Sequence, residues 1–148
     1  KKRLNLAKKL GVKYLFSTIN DITNKKILKL FNGKIDICFE SAGTTKTIEF
    51  GIKITKSNGK VHFASHPNNK EFIHLKPHDL ILGKKISGTW GGGSKPDRDI
   101  KKFYSILKNN SLFIKNLMTK VYYLNDINRA ISGFKNRSIL RPLIKMEH

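Results

Sequence analysis

Two histidine pairs with four-residue spacing, His62 with His66 and His74 with His78, are the first residues whose type and spacing could do chemistry. On a helix that spacing puts both rings on one face, where imidazoles can share a zinc ion. Neither pair has the setting. The first straddles a predicted strand end, and Pro77 interrupts any helix that would align the second. Catalytic zinc takes three protein ligands and an open position, structural zinc takes mostly cysteines, and Cys38 is the sole cysteine. The sequence therefore predicts no metal site. Cys38, between Ile37 and Phe39, reads as a buried reduced thiol, and Asp97 and Asp99 read as charges on the first turn of a helix. Gly91-Gly92-Gly93 cannot form the G-x-G-x-x-G turn, because the spacing puts Pro96 at the last glycine. Neither Gly33-Lys34 nor Gly83-Lys84 completes a P-loop.

The elements that would position these residues alternate between helix and strand. Leu4, Leu6, Ala7 and Leu10 suit a helix stopped by Gly11, and residues 12–16 read as a short strand. Asp21 is placed to cap a helix carrying Ile22, Ile27, Leu28 and Leu30, closed by Asn32-Gly33. The apolar run 35–39 is the clearest buried strand. A helix through Ile48, Phe50 and Ile52 follows, then a strand over 60–65, a short packed segment at 80–82 and a strand over 84–90. Beyond the glycine cluster, a helix from Pro96, a strand over 118–123, a helix capped by Asn125 or Asp126 and a final strand over 140–146 complete the chain. Short loops and no clear hairpin before the glycine cluster imply βαβ units. The expected class is α/β: an incomplete Rossmann-like parallel sheet with helices on both faces, plus a C-terminal strand-helix-strand segment. The expected division is a partial cofactor domain over 1–90 and a returning segment over 91–148.

Open parallel sheets bind ligands at the carboxyl ends of their strands. There the sequence places small or flexible residues three times: Phe39-Glu40-Ser41-Ala42-Gly43, Phe63-Ala64-Ser65-His66 and Gly88-Thr89-Trp90-Gly91-Gly92-Gly93. Any one is an ordinary turn, but the set in order is not. Together with Ala7-Lys8-Lys9-Leu10-Gly11, Ile35-Asp36-Ile37-Cys38-Phe39, Gly59-Lys60-Val61, Asp126-Ile127-Asn128-Arg129-Ala130 and Arg141-Pro142-Leu143-Ile144-Lys145-Met146, they resemble the second half of the zinc-type medium-chain alcohol dehydrogenases. The resemblance covers nearly the whole chain and is carried by the ordered set.

That resemblance implies NAD or NADP as cofactor and a small alcohol or polyol as substrate. It implies that Arg3 lies near the adenosine ribose and that Ser41, Ala42 and Thr44 edge the adenine site. Ala64, Ser65 and His66 would line the nicotinamide side, with Thr89, Trp90 and Gly91 offering backbone groups to the carboxamide. Arg141 would pair with the pyrophosphate, for which a guanidinium fork is suited. Ser65 replaces the family's usual glycine. The family's glycine-rich turn, its ribose-reading acid and its catalytic zinc ligands lie upstream of the residues matched and have no counterpart here. The chain is therefore expected to be part of a longer enzyme and inactive by itself. The strand over 84–90 is expected to be an edge that pairs with its twin in a homodimer or in a tetramer of dimers, although edge lysines at 84 and 85 also serve to prevent pairing.

A formal charge of +20 raises nucleic acid as a partner. The excess is mostly lysine scattered through every segment, whereas a dedicated face would gather arginines and interleave exposed aromatics. A basic nucleic-acid-binding module and a non-catalytic α/β interaction fragment stay open as alternatives. With no long apolar run and no signal-peptide pattern, the expected location is the cytoplasm, without a membrane partner.

Overall fold

A computed structural model describes residues 2–109 and 117–146. The chain forms two compact units, Phe16–Ser94 and Lys1–Leu15 with Lys95–His148. Among the described residues no helix is long and apolar enough to cross a membrane.

The unit Phe16–Ser94 is built on helix α2 (Asp21–Leu30), strand β1 (Ile35–Glu40), helix α3 (Thr45–Ile54), strand β2 (Thr55–Phe63), helix α4 (Pro77–Ile81) and strand β3 (Lys85–Gly88). The strands form one parallel sheet in the order β1-β2-β3. Cys38, Val61 and Ile86 lie in register across it, and α3 packs Ile48 and Ile52 on that row. Ile48 and Val61 are fully buried. Close packing requires Gly51, since a Cβ there would come 2.9 Å from Cys38 Sγ. The opposite face of β1 leaves Ile37 and Phe39 exposed.

Charged and polar groups fix the ends of these elements. Asn20, one residue before the expected Asp21, caps α2 by accepting from the Thr23 N–H at 2.8 Å. Asp21 instead occupies the first turn, where its charge suits the helix dipole. Pro77 starts α4, the position its missing N–H tolerates best, so no helix spans both His74 and His78. Lys84 is no edge charge: it is buried, and its Nζ donates to the Ile52 carbonyl at 2.7 Å, satisfying an orphan acceptor in the last turn of α3.

The second unit contains α1 (Lys2–Lys9), α5 (Pro96–Asn109), β4 (Met118–Tyr123), α6 (Ile127–Lys135) and β5 (Arg141–Lys145). Strands β4 and β5 pair in parallel, and Tyr122, Ala130 and Ile139 form their buried cluster with Ile144 against it. Gly11, at φ 91°, ends α1 as expected. Residues 12–16, expected as a short strand, form no strand. Asp126 caps α6 without a side-chain hydrogen bond and pairs with Arg129 at 3.0 Å instead.

Candidate site at the carboxyl ends of the strands

Glu40 is the last residue of β1 and is buried. Its Oε1 accepts from the N–H groups of Ala42 at 2.6 Å and Gly43 at 3.0 Å and from the Thr47 hydroxyl at 2.7 Å. Its Oε2 accepts from the Ser65 hydroxyl. Four donors thus converge on one carboxylate from the turn after β1, from the first turn of α3 and from the loop after β2. Burial by itself would raise this carboxyl, but the hydrogen bonds from Ser65, Thr47, Ala42 and Gly43 outweigh it and hold the group below its ordinary value of 4.5. The ionised Glu40 and burial together push the Cys38 thiol up, burial being the larger cause. A thiol so placed is a poor nucleophile.

The turn itself needs Gly43, whose φ of 87° lies in the left-handed region. It leads into a capping box in which Thr44 accepts from the Thr47 N–H at 3.2 Å while Thr47 accepts from the Thr44 N–H at 3.3 Å. The Thr44 hydroxyl is therefore engaged by the helix cap. Beyond β2, the Ala64 N–H donates to the Glu40 carbonyl, and beyond β3 the Thr89 N–H donates to the Phe63 carbonyl, both at 3.0 Å. The ring of His66 lies against that of Trp90, centroids 4.3 Å apart and tilted by 56°. Trp90 is exposed, and Gly91, Gly92 and Gly93 after it all have positive φ. Strand β3 stops at Gly88, so Trp90 begins a 3-10 turn instead of ending a strand.

Nine of the residues singled out from the sequence, Ser41, Ala42, Thr44, Ala64, Ser65, His66, Thr89, Trp90 and Gly91, thus stand on the ends of three adjacent parallel strands. Arg3 in α1 and Arg141, first residue of β5, are exposed residues of the other unit. Of the residues that build this site, Glu40 stood in the sequence only as part of the strand-and-turn motif and Thr47 not at all, because only the fold brings Thr47 and Ser65 to the carboxylate.

The described residues hold no group of three or more histidine, cysteine or acidic side chains fit for a metal. His62 bonds through Nδ1 to Ser87 Oγ at 2.6 Å and stacks on Phe39, while His74 meets Glu49 at 2.8 Å. This donor set does not fit zinc.

Comparison with known proteins gives the site its context. The family model described as zinc-binding dehydrogenase matches residues 1–109. Alcohol dehydrogenase 1 of Pisum sativum is 23% identical over 155 residues, spanning 98% of this chain and 39% of its own length. Alcohol dehydrogenase-like 2 of Arabidopsis thaliana is 27% identical over 113 residues, spanning 76% of this chain and 29% of its own. Among solved structures, benzyl alcohol dehydrogenase from Acinetobacter calcoaceticus superposes with a TM-score of 0.87 at 24% identity, covering 98% of this chain and 40% of that one. A zinc-binding-domain alcohol dehydrogenase from Burkholderia ambifaria gives 0.83 at 26% identity, covering 99% and 40%. The chain thus spans about two fifths or less of the length of these relatives. With three quarters of its residues matched in order and its parallel strands superposing on solved dehydrogenases, the chain belongs to the zinc-binding dehydrogenase family.

Proposed function

We propose that this chain is the cofactor-positioning C-terminal portion of an NAD(P)-dependent zinc-type alcohol or polyol dehydrogenase. The observation that carries the reading is the set of three small-residue loops on adjacent strand ends, the first two tied through Glu40. A buried, ionised carboxylate repels phosphate, so the turn after β1 suits an uncharged part of a dinucleotide. Ser41, Ala42 and Thr44 accordingly edge the adenine, and Arg3 stands toward its ribose. Ala64, Ser65 and His66 line the nicotinamide side, where Thr89, Trp90 and Gly91 offer backbone groups to the carboxamide. Arg141, an exposed guanidinium, meets the pyrophosphate. Bound there, the nicotinamide supplies hydride exchange with the alcohol carbon. A structural neighbour from Sinorhizobium meliloti, of TM-score 0.78 and 16% identity over 97% of this chain, was solved bound to NADP.

Because the described residues hold no donor set that fits zinc, the catalytic metal in this reading would be held elsewhere in the parent enzyme, and the 148-residue chain alone would turn over no alcohol. The protein in this reading is cytoplasmic and assembles as a homodimer or tetramer. The test uses the protein as its gene encodes it, titrated with NADH and NADPH while emission from Trp90, the sole tryptophan of this sequence, is followed. Saturable quenching by either nucleotide is expected. A folded protein that binds neither, but binds duplex DNA with a steep salt dependence, would transfer the basic surface to a nucleic-acid role.

A further inference from the structure

We propose that the Ser65–Glu40 hydrogen bond is a positioning device that locks the loop after β2 to the turn after β1 and so sets the affinity for the dinucleotide. The inference rests on the functional reading above, but its structural half does not. Of the four donors to Glu40, Ala42, Gly43 and Thr47 come from the same stretch of chain as the carboxylate, within seven residues of it. Ser65 lies 25 residues away and is the sole side-chain tie to the loop after β2 among these donors. Otherwise that loop is joined to β1 at this level by the Ala64 N–H on the Glu40 carbonyl.

The geometry commits the hydroxyl inward. Ser65 bonds Oε2 of the buried Glu40, and its Cβ lies 3.7 Å from where a Cβ on Gly43 would stand, so the loop lies close over the turn as well as being bonded to Glu40. Hydrogen bonds to an ionised acceptor are the strong ones, and here the acceptor is shielded from water. Two loops that face one ligand from neighbouring strands are then held at a fixed separation before the ligand arrives, which reduces the ordering cost of binding. A hydroxyl that donates its proton to Glu40 has none left to donate to the cofactor. Ser65 is thus a positioning residue, acting through Glu40 and the backbone around it.

The experiment compares the wild-type protein, as its gene encodes it, with Ser65→Ala and Ser65→Thr. Backbone amide exchange is measured without ligand, and dissociation constants are measured for NADH and NADPH. Ser65→Ala should speed exchange across 64–66 with a smaller change at Ala42 and Gly43, and should weaken the bound nucleotide about tenfold, the scale of one charge-assisted hydrogen bond. Ser65→Thr, which keeps the hydroxyl, should restore both. Unchanged exchange in Ser65→Ala would remove the lock. Faster exchange with unchanged affinity would leave a lock that positions nothing and would overturn the proposal. If the wild type binds neither nucleotide, the functional reading and the affinity claim fall together, and exchange alone decides whether the loops are tied.

Discussion

The two parallel sheets bury different things. Under α3, the row Cys38, Val61 and Ile86 is accompanied by two buried charges, Glu40 with four donors and Lys84 bonded to the Ile52 carbonyl with Asp79 3.7 Å away. Between β4 and β5, the cluster of Tyr122, Ala130, Ile139 and Ile144 contains no ionised group. A buried charge costs more than an apolar side chain of the same size unless it is fully partnered. The first unit carries that cost at strand ends, where loops have to be shaped, whereas the second carries it at Asp99, in the first turn of α5 beside Arg98 and not on a strand. The difference separates residues that hold a fold together from residues that hold a backbone in position.

The largest effect should come from the first unit's packing. Ile48→Ala empties the centre of its cluster and should cost about 2–5 kcal/mol, read as a shift in denaturant midpoint. A loss well under that range would show that α3 is not what secures the sheet. Arg141 sharpens the contrast from the other side, being exposed at the start of β5. Arg141→Ala should leave the midpoint unchanged and weaken cofactor binding by about 1.5–3 kcal/mol, as expected for a hydrogen bond to a charged group. Equal dissociation constants in a folded variant would remove the pyrophosphate assignment.

Much of this was legible in the sequence, for identifiable reasons. The run 35–39, between Gly33-Lys34 and Ser-Ala-Gly, declared a strand but not its burial, since Ile37 and Phe39 lie exposed on one face, and Ile48 and Ile52 at helical spacing declared the face of α3. Local chemistry was less readable. Asn20 and Asp21 are both good caps, and only the Asn20 side-chain bond to Thr23 N–H distinguishes them. Residues 12–16 have strand composition, but pairing is a property of the neighbour. Lys84 has the look of an edge charge, and only tertiary structure brings the Ile52 carbonyl to it. Glu40 was hidden for the same reason: its meaning depends on Ser65, 25 residues away.

A smaller effect is expected in the second unit. A Cβ on Gly133 would run into Ile139 Cδ1, and the Gly133 carbonyl already accepts from Ser138 and Ile139 N–H groups, so this turn cannot move away freely. Gly133→Ala should cost about 1–3 kcal/mol of stability by overpacking, measured by the same denaturant midpoint. The edge of β3 away from β2, which pairs with no strand among the described residues, is a test of association. Since Thr89 N–H points to β2, strand alternation turns the Ile86 N–H outward, and Ile86→Pro removes a donor that the β2–β3 ladder does not use. If β3 is the two-fold contact, light scattering should show the oligomer's mass halved in Ile86→Pro and retained in Ile86→Ala, which controls for the side chain's packing. An oligomer that keeps its mass with proline present places the contact elsewhere.

The smallest effect, and the one most specific to the difference between the sheets, is the response to acid. Glu40 titrates below its ordinary 4.5 in the folded state because its four hydrogen bonds outweigh burial. In the unfolded chain it returns to about 4.3. A depressed folded pKa means that the unfolded state binds the proton more readily, so the contribution of Glu40 to stability is fully present above the unfolded value and is lost as pH falls through the folded one. Asp21, Asp36, Glu49 and Asp99 are lowered too and contribute to the same acid slope, which is why the wild-type curve alone cannot isolate Glu40. Subtraction can. Glu40→Gln keeps an acceptor oxygen but has no proton to exchange, so the stability gap between wild type and variant should be constant from neutral pH down to about 5 and should close at lower pH. Midpoints measured across that range decide the matter. A gap that does not narrow as pH falls below the unfolded pKa would mean that shape alone, and not the charge on Glu40, organises the turn.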